Sequence, residues 1–233
     1  MVKTIILGFD GNIGVGKSTL VTEAAECLPA MLDFPAYSVP IMEEVERSKY
    51  WRPYCRFMNA EWKHNGNLEN RFVVYQFQTW VLFDQRKRIQ EAVESARSSD
   101  ALEDKVMLLL LDRSPRGHRA MADNLLKLGI FIPGMWAPYL HEAGMSSGYL
   151  PQETFLLDAT EEELIDRMHS RDRQGEAGIP TAYLAGIRTA HNSVFEADKV
   201  KVHTLDYHTF APFQGVLAQI APVVNSIEPI ELL

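Results

Sequence analysis

Short apolar runs bounded by turn residues alternate along the chain with longer segments in which apolar side chains recur every three or four positions. The first kind reads as buried strand and the second as amphipathic helix packed on a sheet. Strands are predicted at 3–9, 36–42, 106–111, 154–157 and 200–204. Helical periodicity occupies 17–27, 71–97, 118–128, 161–170 and 181–196. This alternation is the signature of βαβ units, so the pattern predicts an α/β fold of five parallel strands flanked by helices. No repeat, low-complexity tract or linker divides the pattern, and residues 1–233 read as one domain. Residues 170–180 pack charges and two glycines between helical segments, and read as a mobile surface loop.

Composition narrows the partners. The 233 residues are 46% hydrophobic and 23% charged, an ordinary globular balance with ample core to fold without cross-links. Lys+Arg 23 against Asp+Glu 31 leaves a formal charge of −8, which argues against a basic footprint for nucleic acid polymers. A local arginine cluster can still hold a small anion. Cys27 and Cys55 lack metal-type spacing, so neither a disulfide framework nor structural zinc is expected. The longest strongly apolar run, 106–111, is six residues and too short to span a bilayer. Ile5-Ile6-Leu7 runs straight into Gly8 and Asp10, unlike a secretory segment. The expectation is a soluble, reducing compartment such as the cytoplasm, with no membrane partner.

The chemistry starts at Gly11-Asn12-Ile13-Gly14-Val15-Gly16-Lys17-Ser18-Thr19, which satisfies G-x-x-x-x-G-K-[ST] between a predicted strand and a predicted helix. Glycines let backbone N–H groups converge on phosphate oxygens, Lys17 can reach the β/γ-phosphates, and the Ser18 hydroxyl can ligate Mg²⁺. Asp112 closes the most apolar strand, where the second half of a P-loop magnesium site belongs. A regulatory GTPase would need an Asn-Lys-x-Asp base reader, and no Asn-Lys dipeptide occurs. A small kinase needs an arginine lid that neutralises the transferring phosphoryl group. Arg167-x-x-x-Arg171-x-Arg173 supplies one, with Arg167 and Arg171 on one helix face.

Taken together, these residues resemble the deoxyribonucleoside kinases (deoxycytidine, deoxyguanosine and insect multisubstrate kinases), with viral thymidine kinases as relatives. The resemblance runs from about residue 3 to about residue 210 as a string of short motifs. They are the 11–19 loop, Glu43-Glu44-Val45-Glu46 for Glu-Pro-Val-Glu, Phe77-Gln78-Thr79-Trp80, Asp112-Arg113-Ser114 with Arg119, and the lid. The lid continues through Glu176, Gly178-Ile179-Pro180 and Tyr183-Leu184 without a gap, placing it at about 167–179. The resemblance implies a P-loop nucleoside-kinase fold, ATP as donor, Mg²⁺ on Ser18 and Asp112, and a homodimer. It implies Glu43 as base for the 5′-hydroxyl, with Arg113 holding that carboxylate, and Lys17, Arg171 and Arg173 at the transferring phosphate. Arg167, with Asp206 and Phe210 near the adenine, would hold the donor. Gln78 would pair with the nucleobase beside Phe77 and Trp51, and Glu176 would accept from the 3′-hydroxyl.

Several positions depart from the family. Glu44 replaces proline, and Ser48 replaces a tryptophan, with Trp51 three residues on. Asn67 stands where a second 3′-hydroxyl ligand is expected, and Ala122 where an aromatic stacks on the base. Gln85 and His118 occupy the two base-flanking positions. Gln85 shares a helix face with Gln78, so both amides are expected in one polar pocket favouring an amino-bearing base, deoxyadenosine or deoxycytidine, over thymidine. The alternative function is a deoxynucleoside monophosphate kinase, which shares loop, Asp-Arg pair and lid; Arg116 and Arg119 would then face the acceptor phosphate.

Overall fold

The computed structural model describes residues 1–60, 67–99, 102, 104–171, 173, 176, 179–207 and 213–232, without the side chains of 59, 60 and 206. Central to it is β1 (Val2–Gly11), buried along nearly its whole length. β3 (Val106–Asp112) runs parallel on one side and β4 (Glu153–Asp158) on the other. β2 (Ala36–Ile41) and β5 (Val202–Asp206) complete the parallel order β2-β3-β1-β4-β5. All five predicted strands are present, each within a few residues of its predicted bounds. A sixth was not anticipated. β4 pairs with β1 only from Leu7 onward, and β6 (Ile230–Leu232) fills the edge below it antiparallel, with Val2 opposite Leu232.

Alternate residues of the sheet feed two apolar layers, as expected of a parallel sheet covered on both faces. Ile5, Leu7, Phe9, Leu108 and Leu110 join one cluster, while Ile6, Met107, Leu109 and Leu111 join the other. The helices are α1 (Lys17–Cys27), α2 (Trp51–Ala60), α3 (Leu68–Arg97), α4 (Pro115–Lys127), α5 (Pro133–Gly144), α6 (Glu161–Arg171), α7 (Thr181–Ala197) and α8 (Phe213–Asn225). Three of these, α2, α5 and α8, escape the periodicity. α5 carries Pro133 in its first turn and Pro138 inside, and α8 carries Pro222, and both sequences read as broken. In each case tertiary packing overrides the local signal.

Three helix starts position the chemistry. The Ser114 side chain caps α4 by accepting from Gly117 N at 3.0 Å, with Pro115 at the first helical position. α3 begins at Asn67, whose side chain accepts from Asn70 N at 2.9 Å, so Asn67 caps a helix rather than facing a ligand. α6 opens with a capping box between Thr160 and Glu163, with Glu163 N reaching Thr160 Oγ1 at 3.3 Å and Glu163 Oε2 receiving Thr160 N at 2.8 Å. No helix among the described residues is long and apolar enough to cross a membrane.

Candidate active site

The loop after β1 bends through left-handed backbone at Gly14 (φ 79°) and Gly16 (φ 102°), conformations that favour glycine. Space is equally restrictive, because a Cβ on Gly14 would lie 2.8 Å from Met168 Cγ and 3.0 Å from Leu164 O in α6. Asn12 receives Ile13 N on its side-chain oxygen at 2.9 Å and donates to Leu184 O in α7 at 2.8 Å. The buried Lys17 donates to Asn12 O at 2.9 Å. Burial and the nearby Arg113 pull its ammonium down to about 8, against the opposing pull of Asp112, Glu43 and Asp10. Arg167 closes the loop from outside, donating to Val15 O at 3.1 Å and to Tyr207 O at 2.7 Å.

At the end of β3, Asp112 accepts from the Ser18 hydroxyl at 2.6 Å and from Glu43 N at 3.3 Å, both on Oδ2. Its Oδ1 is buried and without a hydrogen-bond partner among the described residues. Arg113 follows in left-handed backbone (φ 75°). Its guanidinium donates to Gly11 O at 2.9 Å and to Glu43 Oε1 at 3.2 Å. Burial opposes charge on Glu43, but the Arg113 guanidinium, with the Lys17 ammonium behind it, outweighs burial and holds the carboxyl down at about 2. The other two glutamates of the segment have partners of their own. Glu44 pairs with Arg47 at 2.6 Å, and Glu46 pairs with Arg173 at 3.2 Å.

A cavity of about 740 Å³ of empty space, partly open to solvent, runs from this pair between α2, α3, α4 and the lid. Trp51, Tyr54 and Phe77 form one wall, with the Tyr54 and Phe77 ring centroids 4.4 Å apart. Gln78 and Val81 of α3 and His118 and Met121 of α4 form the floor. His118 is buried, with Nδ1 3.8 Å from Glu43 Oε1, and burial drives it down to about 3, so it is neutral at physiological pH. Arg171 and Arg173 both pair with Glu176, the latter at 3.2 Å. Glu176 and Ile179 are buried, which corrects the surface-loop expectation for these members of 170–180. Residues 172, 174, 175, 177 and 178, including Gly178, lie outside the described residues, as does Phe210. Asp206 ends β5 opposite Asp158, its side chain not among those described.

One expectation is corrected, and three further positions have other surroundings than the acceptor space. Gln85 does not line this cavity; its Nε2 donates to Arg113 O at 2.6 Å, because a helical turn farther along α3 that face meets the end of β3. Arg116 and Arg119 both grip Asp198 at the end of α7, at 3.1 and 2.8 Å, and are engaged away from the acceptor space. Ala122, the position of the family's stacking aromatic, is fully buried core rather than cavity wall. One wall residue escaped the sequence reading altogether. Tyr54 pairs its hydroxyl with that of Tyr183 at 3.2 Å, and the only hint of it was a second aromatic one helical turn from Trp51.

A parallel sheet ordered β2-β3-β1-β4-β5 with a P-loop after its central strand and an arginine lid defines a P-loop kinase. The sequence pattern of the deoxynucleoside kinase family matches residues 7–227, and the chain belongs to that family. It is therefore an enzyme, a kinase that phosphorylates nucleosides. The chain is 22% identical over 223 residues to the deoxyguanosine kinase of Dictyostelium discoideum, covering 94% of this chain and 68% of that protein. It is also similar in structure to the deoxyadenosine kinase from M. mycoides with bound dCTP, with a TM-score of 0.70, 15% identity, and 96% of this chain and 100% of that one covered. The same enzyme with bound dATP gives a TM-score of 0.67 at 15% identity, covering 95% of this chain and 100% of that one. At these identities the structural likeness is one of fold.

Proposed function

We propose that the protein transfers the γ-phosphoryl group of ATP to the 5′-hydroxyl of a deoxyribonucleoside, yielding the 5′-monophosphate in nucleotide salvage. The observation that carries this reading is the Glu43–Arg113 pair, set where the P-loop meets a cavity lined by the Trp51, Tyr54 and Phe77 rings and the Gln78 amide. A phosphate acceptor would call for spare cations there, and Arg116 and Arg119 are held on Asp198 instead. Glu43 takes the proton as the 5′-oxygen bonds to phosphorus and the bond to the ADP oxygen breaks. In a loose transition state the hydroxyl keeps its proton until late, so a carboxylate of low basicity suffices once it is positioned. Arg113 fixes that carboxylate. Lys17, Arg171 and Arg173 neutralise the phosphates, and Arg167 supports the loop and the donor. The lone Asp112 Oδ1 beside the Ser18 hydroxyl suits Mg²⁺, which when bound neutralises charge on the β- and γ-phosphate oxygens.

On the acceptor side, Phe77 and Trp51 supply apolar faces, Gln78 presents an amide, and Glu176 is the acceptor for the sugar 3′-hydroxyl. With Gln85 engaged elsewhere, Gln78 and the neutral His118 are the polar readers of the base. They favour an amino-bearing base, deoxyadenosine or deoxycytidine, over thymidine. Of the relatives' names, deoxyadenosine kinase fits this preference, whereas deoxyguanosine kinase names a base outside it. The test is turnover with ATP over four deoxynucleosides and their monophosphates. Glu43→Gln should lower kcat by about 10²-fold or more with little change in nucleoside affinity, while Glu44→Gln and Glu46→Gln stay near wild type. Turnover of monophosphates but not nucleosides would replace this reading with the monophosphate kinase.

A further inference from the structure

We infer that Gln85 and Asp10 are positioning residues for this reaction, gripping the two ends of the Arg113–Ser114 peptide so that the Arg113 guanidinium meets Glu43. Arg113 sits at φ 75°, a region in which a side chain crowds the backbone, so the conformation persists only where its surroundings hold it. Three bonds do so. Arg113 N donates to Phe9 O at 3.0 Å, which fixes the near side of the residue to β1. The next peptide is held at both ends by side chains. Its carbonyl, Arg113 O, accepts from Gln85 Nε2 at 2.6 Å, and its N–H, on Ser114, donates to Asp10 Oδ1 at 3.0 Å.

A peptide unit is rigid, so two bonds on its opposite ends remove its freedom to rotate. Relaxing Arg113 toward ordinary helical backbone would swing that plane and break both bonds together. The direction of the Arg113 Cβ follows from the same plane. With it goes the reach of the guanidinium, which spans from Gly11 O at 2.9 Å to Glu43 at 3.2 Å. Both braces are interior, with Gln85 4% exposed and Asp10 0%. Neither lines the cavity that holds Gln78. The first turn of α4 is built around the second brace, since a Cβ on Gly117 would fall 1.8 Å from Asp10 Oδ1.

This inference rests on the reading of Glu43 and Arg113 as the acceptor-activating pair. The test uses Gln85→Met, which keeps the volume and deletes the donor, and Gln85→Arg, which keeps a donor. Gln85→Met should lower kcat about 10- to 100-fold, the scale of a misplaced catalytic group, with nucleoside KM within about threefold. The ranking of the four deoxynucleosides should not change, and Gln85→Arg should recover kcat to within about fivefold. A kcat within about twofold for Gln85→Met, or a changed ranking, overturns the brace; so does Gln85→Arg as impaired as Gln85→Met. Thermal melting shows which variants are folded. If Gln85→Met does not fold, Gln85→Arg decides, near-normal kcat with an unchanged ranking supporting the brace and a tenfold or larger loss overturning it. Glu43→Gln is assayed alongside. Normal activity there refutes the reading of the site, whereas a crippled Glu43→Gln beside a normal Gln85→Met refutes only the brace.

Discussion

The donor cradle and the acceptor cavity lie side by side and are built on opposite principles. The cradle is one continuous stretch, 11–19, whose shape comes from left-handed glycines and which, in the proposed reading, holds phosphate largely by backbone N–H groups. The cavity draws its walls from α2, α3, α4, the segment after β2 and the lid, and in the proposed reading its recognising groups are side chains. Backbone recognition tolerates change outside a few glycines and a lysine. Side-chain recognition is retuned by single substitutions. The difference teaches that one family can keep its phosphoryl chemistry while its members part company over the nucleoside.

That division can be broken by substitution, starting on the donor side. Lys17→Ala should lose about 10³-fold or more in kcat/KM for every nucleoside alike, with the melting temperature little changed, as the one hydrogen bond of Lys17 Nζ among the described residues is to Asn12 O. Unequal losses across nucleosides would show that the two regions are not separable. On the acceptor side, Gln78→Leu or His118→Ala should change the ratio between the best and worst nucleoside by about 10- to 10²-fold and leave the ATP KM alone. An ATP KM that moves instead would take the cavity out of acceptor recognition. Acidity sharpens the contrast. Lys17 carries its charge below about 8, so the dissociation constant of ATP, read by calorimetry, should rise about tenfold per pH unit above that value. A flat affinity up to pH 10 would separate Lys17 from the phosphates. A last effect is on stability. Burial holds His118, in the cavity, and His191, on α7 behind the loop, down at about 3. The unfolded chain takes up those protons near 6.5, so the stability is whole above about pH 6.5 and is lost as pH falls toward 3, at up to about 1.4 kcal/mol per pH unit for each histidine. Urea unfolding at pH 7 and pH 5 checks this, and His191→Gln should flatten the slope by one proton's share.

How much of this was legible in the chain follows the same divide. The loop, the strand ends and the lid arginines are local in sequence, so motif and periodicity place them. On α3, periodicity puts Val74, Gln78, Val81 and Gln85 on one face, and all four are buried there. What it does not contain is the partner of each amide. Gln78 opens on the cavity, while Gln85 meets a carbonyl contributed by the turn after β3, and only the packing of α3 against that turn separates the two. Arg116 and Arg119 stand at a spacing that suits a phosphate, yet Asp198 lies at the far end of α7, beyond the reach of any local pattern. β6 is three residues long with no periodicity of its own, and exists because β4 leaves the start of β1 open.

Gly117 bears on how the chain can vary over time. It lacks the side chain that would collide with Asp10, and Asp10 in turn anchors the peptide beyond Arg113. A side chain at position 117, or a bulkier one at position 10, would meet the other before either could adjust, and the turn would be lost. A change at position 10 or 117 is therefore expected to be tolerated only with a compensating change at the other, a constraint that does not reach the exposed Lys127 of α4.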